Sequence, residues 1–167
     1  MSQILKQTAI ITGASKGIGR AIARRLAQLG MNLVLSSRSQ EQLDDLIVEL
    51  NGLNSDNIYL AVPCDVTSYD QIKALVEKSL QAFERIDVLI NNAGTASKIG
   101  LLQEMPREVI DTILDTNLKG AIYMMQAVLP TMVEQQSGTI ININSMAGKQ
   151  AYPYWSVYDA SKFGLRA

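Results

Sequence analysis

Short runs of β-branched and aliphatic residues recur at 8–12, 32–36, 58–63, 88–91 and 139–144, and segments of helical length lie between them. Strands that are apolar from end to end must be covered on both faces. The intervening segments at 17–29, 40–50, 69–83, 107–115 and 118–136 are long enough to cross over between parallel strands. The pattern predicts an α/β chain, a doubly wound parallel sheet with helices on both sides. With 167 residues, 47% of them apolar, the chain suits a single domain with a sizeable core, and no repeat or linker interrupts it.

Several helix starts carry capping signals. Ser39 with Gln42, Ser68 with Gln71 and Ser156 with Asp159 have capping-box spacing, and Pro106 suits a first helical turn. In the segment 118–133, Leu118, Ala121, Ile122, Met124, Met125, Val128, Leu129, Met132 and Val133 occupy more than one face. A one-sided apolar stripe would be narrower. The helix is therefore expected to be covered by the sheet and by a second body, either more of the same chain or another subunit. We expect the latter, a homo-oligomer.

A net charge of -1 and a pI of about 5.4 give no electrostatic reason to expect nucleic acid or an anionic membrane as partner. Any anion must be bound locally. Cys64 is the single cysteine, so no internal disulfide is expected, and the absence of histidine removes His-based triads and the commonest zinc ligand. No metal site is expected. Residues 1–7 are polar and no run approaches ~18 apolar residues, so neither export nor membrane spanning is indicated and the cytoplasm is the expected compartment.

The first apolar run leads through Thr12-Gly13-Ala14-Ser15-Lys16-Gly17-Ile18-Gly19 into the first helix. Glycines allow a tight turn and close backbone approach, while free N–H groups and the helix dipole favour a pyrophosphate there. The GxxxGxG spacing differs from the GxGxxG fingerprint, and glycine-rich turns also serve packing alone. Where an NAD-preferring fold places an acidic residue on the ribose 2′-hydroxyl, this chain has Ser36-Ser37-Arg38. Arg38 would pair with a 2′-phosphate and Lys16 would add a second charge, which favours NADP(H); the alternative is a solvated arginine at a strand end. Glu41 should already lie inside the next helix.

Tyr158 and Lys162 stand four residues apart in a helix expected to open at Ser156. Residues at that spacing share a face, and a fixed cation beside a phenol favours the phenolate. Such a phenol can exchange protons with a substrate. Together these residues resemble the short-chain dehydrogenase/reductase family along almost the whole chain. Thr12 to Gly19 is similar to its TGxxxGIG turn, Asn91-Asn92-Ala93-Gly94 to its NNAG motif, and Tyr158 with Lys162 to its YxxxK motif.

The resemblance implies a Rossmann fold and direct hydride transfer between a nicotinamide and a carbonyl or secondary alcohol. It implies that Gly13, Ser15, Lys16, Gly17, Ile18, Gly19, Arg38, Asp65, Val66, Asn92, Ala93, Gly94, Tyr158 and Lys162 hold the cofactor. It assigns catalysis to Asn117, Ser145, Tyr158 and Lys162. Tyr158 would be the acid, Ser145 would bond the same oxygen, Lys162 would tune the phenol and hold ribose hydroxyls, and Asn117 would anchor a water behind Lys162. Plainer readings stand beside these: Asp65 as a strand-end turn residue, Ser145 as a turn former and Asn117 as a capping amide.

Members of this family usually continue past the YxxxK helix with two more strands and a substrate-covering segment. The sequence is therefore expected to be part of a complete reductase, the alternative being a truncated, non-catalytic dinucleotide-binding or interaction module. The pattern looks most like 3-oxoacyl carrier-protein reductases and related small-carbonyl reductases. Sugar alcohols and steroids remain open as substrates, since the loop 95–103 cannot decide among them.

Overall fold

The computed structural model describes residues 7–96 and 98–167. Residues 1–6 of the polar opening, and Ser97 in the loop 95–103, lie outside the described residues. The strands are β1 (Thr8–Thr12), β2 (Asn32–Ser37), β3 (Tyr59–Pro63), β4 (Val88–Asn91) and β5 (Thr139–Asn142). The helices are α1 (Gly17–Gln28), α2 (Gln40–Leu53), α3 (Tyr69–Phe83), α4 (Arg107–Leu114), α5 (Gly120–Glu134) and α6 (Ser156–Gly164). The strands form one sheet in the order β3-β2-β1-β4-β5, and every pairing is parallel. The doubly wound α/β expectation holds.

Alternation along each strand feeds two cores. Ile10, Val34 and Leu89 face α3 and α5, where Ile72, Leu75, Met124 and Val128 close the layer. Their neighbours Ile11, Leu35 and Ile90 face α1 and α2, against Ala23, Ala27, Leu43 and Leu46. Each fully buried aliphatic side chain contributes about 1.5–3 kcal/mol relative to exposure, so the two layers hold the sheet rigidly between them. The strand order reverses between β1 and β4, and that reversal opens a crevice at their carboxyl ends.

Several boundaries differ from the sequence reading. The fifth strand stops at Asn142 rather than residue 144, because its ladder partner β4 ends at Asn91, opposite Asn142. The two helices expected at 107–115 and 118–136 are joined without a break through a π turn, Asp115–Lys119. Ser39 and Ser68 cap as expected, accepting from Gln42 N at 3.3 Å and Gln71 N at 3.5 Å. Ser156 does not cap. Trp155 occupies the cap position without a side-chain bond, and the Asp159 carboxylate accepts instead from Tyr152 N at 2.7 Å. On α5, Met124, Val128 and Met132 are buried, while Ile122, Leu129 and Val133 are exposed.

Candidate active site

The glycine turn is built against the end of β4. Thr12 Oγ1 accepts from both Asn92 N and Ala93 N at 3.0 Å, and Asn92 Nδ2 donates to Thr12 O at 2.9 Å and Gly13 O at 3.0 Å. Little room is left for side chains. A Cβ on Gly13, whose φ is +62°, would stand 2.9 Å from Asn92 Nδ2, and one on Gly19 would collide with Gly13 O. Gly17 has φ +56° but faces open space, so its need for glycine is conformational alone. Arg20, paired with Glu49 of α2, also donates to Ser15 O at 3.3 Å and so ties α2 to the turn.

In front of the turn lies a groove of about 710 Å³, within the range of ligand and cofactor sites. Gly13, Ser15, Lys16, Ile18, Arg38, Asp65, Val66, Asn92, Ala93 and Gly94 all line it, as expected. Gly17 and Gly19 do not; they shape the turn. Tyr158 and Lys162 are not part of its lining either. Lys162 stands at its Gly94 end, with Nζ 3.8 Å from where a Gly94 Cβ would be. The groove also takes in Ser37, Ser39, Gln42, Cys64, Thr67, Thr95, Thr112 and Thr116, none of which the sequence marks as a cofactor contact.

Asp65 forms the turn that its plainer reading gives. Its carboxylate accepts from Thr67 N at 2.9 Å and Thr67 Oγ1 at 2.8 Å while it still faces the groove. Beside it, burial pushes the Cys64 thiol up to about 11, and the Asp65 charge adds to this.

Tyr158 and Lys162 lie one turn apart on α6. The ammonium is 5.8 Å from the centre of the phenol ring, and it donates to Ile143 O at 2.9 Å. Only 6% of Lys162 is exposed, and that burial holds its pKa below the ordinary lysine value. Trp155 packs edge-to-face on Tyr158, with ring centres 5.3 Å apart at 67°.

Asn117 sits in the π turn with 1% exposure, so the capping reading is wrong. Its Oδ1 accepts from Thr95 N at 2.7 Å, and its Nδ2 donates to Thr95 O at 2.9 Å and Ser161 Oγ at 3.1 Å. It thereby fastens the loop segment that follows Gly94 to α6. Ser145 opens a short turn, Met146–Gly148, and accepts from Ala147 N at 3.2 Å. That turn packs on α6, where a Cβ on Gly148 would lie 2.8 Å from Lys162 O. Ser145 is thus both a turn former and a neighbour of the Lys162 helix. Thr12, the first residue of the glycine motif, and Thr95 and Ser161, which no spacing marks in the sequence, hold the arrangement together.

A doubly wound parallel sheet with a glycine turn at its switch point, and a tyrosine and a lysine at the same sheet edge, defines the dinucleotide-fold class. The chain belongs to the short-chain dehydrogenase family, whose model matches residues 7–167. It is 41% identical over 157 residues to a 3-oxoacyl-[acyl-carrier-protein] reductase of Thermotoga maritima, which covers 93% of this chain and 62% of that protein. A metagenomic short-chain oxidoreductase solved with NADP superposes with a TM-score of 0.92 at 38% identity, over 98% of this chain and 73% of the other. A xylitol dehydrogenase solved with NAD+ gives 0.93 at 30% identity, over 98% and 62%. The chain therefore spans a little under two thirds of the length of the Thermotoga relative. Among the described residues no helix is long and apolar enough to cross a membrane.

Proposed function

We propose that the protein is an NADP(H)-dependent oxidoreductase that interconverts a carbonyl and a secondary alcohol, with 3-oxoacyl thioesters and related small carbonyl compounds as substrate class. One observation carries this reading: a buried lysine ammonium beside a half-exposed phenol at the Gly94 end of a cofactor-sized groove. The residues fit the cofactor. Gly13 and Gly19 leave no space for side chains beneath the place of a pyrophosphate, and Lys16 and Arg38 line the groove where a 2′-phosphate needs positive charge.

Bound there, the nicotinamide supplies or accepts the hydride. The chain's own residues do the rest. Tyr158 gives its phenolic proton to the oxygen that becomes the alcohol, and Ser145 donates a hydrogen bond to the same oxygen. Lys162 keeps a positive charge beside the phenol and holds ribose hydroxyls. Asn117, whose side chain is bonded to Thr95 and Ser161, serves proton supply by keeping Gly94 and α6 in register. Asp65 and Val66 border the adenine. The exposed apolar face of α5 supports a homo-oligomer, and a free, buried Cys64 suits a reducing cytoplasm.

The test is NADPH and NADH oxidation over a panel of 3-oxoacyl thioesters, 3-oxo acids, small ketones and sugars. Turnover of 3-oxoacyl or small carbonyl compounds with NADPH is expected. Activity on sugar alcohols alone would reject the substrate class, and tight NADPH binding without turnover of any compound would leave a dinucleotide-binding module.

A further inference from the structure

Asp159 follows the tyrosine in the YxxxK segment and is only 4% exposed. One carboxylate oxygen accepts from Tyr152 N at 2.7 Å, and the other, Oδ1, has no partner among the described residues. Burying a carboxylate with so few bonds is costly, and its place in the first turn of α6 offsets only part of that through the helix dipole. It has no capping duty. Its one bond reaches back across the turn that leads into α6.

That turn does not hold its own shape. Tyr154 has φ +69°, a conformation that costs a bulky residue about 1–3 kcal/mol. Tyr152 is gripped at both ends, its N–H by Asp159 and its carbonyl by Trp155 N at 3.2 Å, while Asp159 N donates to Trp155 O at 2.8 Å. Gly100 N donates to Tyr154 O at 3.1 Å, which brings the loop after β4 to the same turn. The product of this closed ring of bonds is the placement of Trp155 edge-on to Tyr158.

We propose that Asp159 is a positioning residue that seats Trp155 against Tyr158, making an aromatic wall beside the reacting oxygen that admits substrates whose carbonyl carries a flat or apolar substituent. The proposal rests on the reductase reading for the substrate wall, but not for the seating of Trp155. Trp155 is the one tryptophan in the 167 residues, so its fluorescence, taken as the difference from Trp155→Phe, reports its own surroundings.

In Asp159→Ala the acrylamide quenching of Trp155 should rise about twofold or more, and KM for the carbonyl substrate about tenfold, with kcat changed far less. Asp159→Asn, which keeps an acceptor oxygen, should restore both. Tyr152→Pro removes the N–H and should release Trp155 in the same way, whereas Tyr152→Ala keeps the N–H and should not. Residue 152 already precedes Pro153, so an extended backbone suits it. This pair decides should Asp159→Ala not fold. Unchanged quenching in a folded Asp159→Ala, or identical quenching in Tyr152→Pro and Tyr152→Ala, overturns the proposal. Quenching is read without substrate, so failure of every carbonyl to turn over would reject the reductase reading and leave the seating of Trp155 judged on its own result.

Discussion

Lys162 Nζ lies 5.8 Å from the centre of the Tyr158 ring and is held there by Ile143 O at 2.9 Å. With its ammonium tied to a main-chain carbonyl, the lysine cannot swing away from the phenol. The phenol is then the group that hands over the proton, with the lysine charge fixed beside it. Tyr158→Phe is expected to lower kcat by about 10²–10⁴ while NADPH binding stays within about threefold, measured by nucleotide titration beside steady-state rates. Retained turnover would reject Tyr158 as the acid.

Burial of Lys162 also sets a pH dependence. Its folded-state pKa lies below 10.5, the unfolded value. Between the two the unfolded chain binds the extra proton, so stability rises with pH across that window, and the cost of the buried cation is full below it. As pH rises toward 10.5 the protein should gain stability relative to Lys162→Met, read from urea midpoints. Parallel curves for the two proteins would contradict this.

Arg38 faces the groove beside Ser37, Ser39 and Gln42. If it meets a 2′-phosphate, Arg38→Ala should weaken NADPH about 10–100-fold, the worth of a charge-assisted bond, and leave NADH almost unchanged. Equal losses for both nucleotides would make it a general phosphate contact instead.

Gly17 and Gly19 separate two reasons for glycine. Gly17→Ala meets no atom within 4 Å and should cost about 1–2 kcal/mol from its positive φ. Gly19→Ala drives a methyl into Gly13 O and to 2.5 Å from Asn92 Nδ2, so the turn must move. Both should lower the melting temperature, but only Gly19→Ala should also abolish detectable nucleotide binding.

Cys64 borders the groove with its thiol raised from 9.0 to about 11. At pH 7.5 iodoacetamide should label it about a hundredfold more slowly than a free cysteine, and NADPH should slow it further, as mass spectrometry would show. Because the folded pKa is the higher one, its contribution to stability is complete below pH 9 and lost as pH rises through about 11. Labelling at the free-cysteine rate would refute the burial.

The sheet was legible because strand identity rests on local composition: β1 is buried at every position, and its sequence is apolar or β-branched throughout. The groove residues were legible where a motif demands a special backbone, as at Gly13. What escaped was every role that one side chain acquires from a distant partner. Thr12 opens the glycine motif, but its task of accepting from Asn92 N and Ala93 N is set by residues about 80 positions later in the chain. Asp159 matched a capping-box spacing, yet tertiary contact with Tyr152 drew it elsewhere. Taken alone Asn117 reads as a capping amide, since nothing in its neighbours signals an extra residue in a helical turn.

That extra residue gives the helix pair a spare position. The π turn takes up one residue more than an α turn would, and the helices on either side keep their facing. Deleting Asn117 would make the rod regular and leave Met124, Val128 and Met132 against the sheet. Deleting a residue within the regular part of α5 would instead turn those before it by about 100° relative to those after it. A lineage carrying this chain can therefore shed the buried amide by substitution or by a single deletion at the bulge, with the core spared either way.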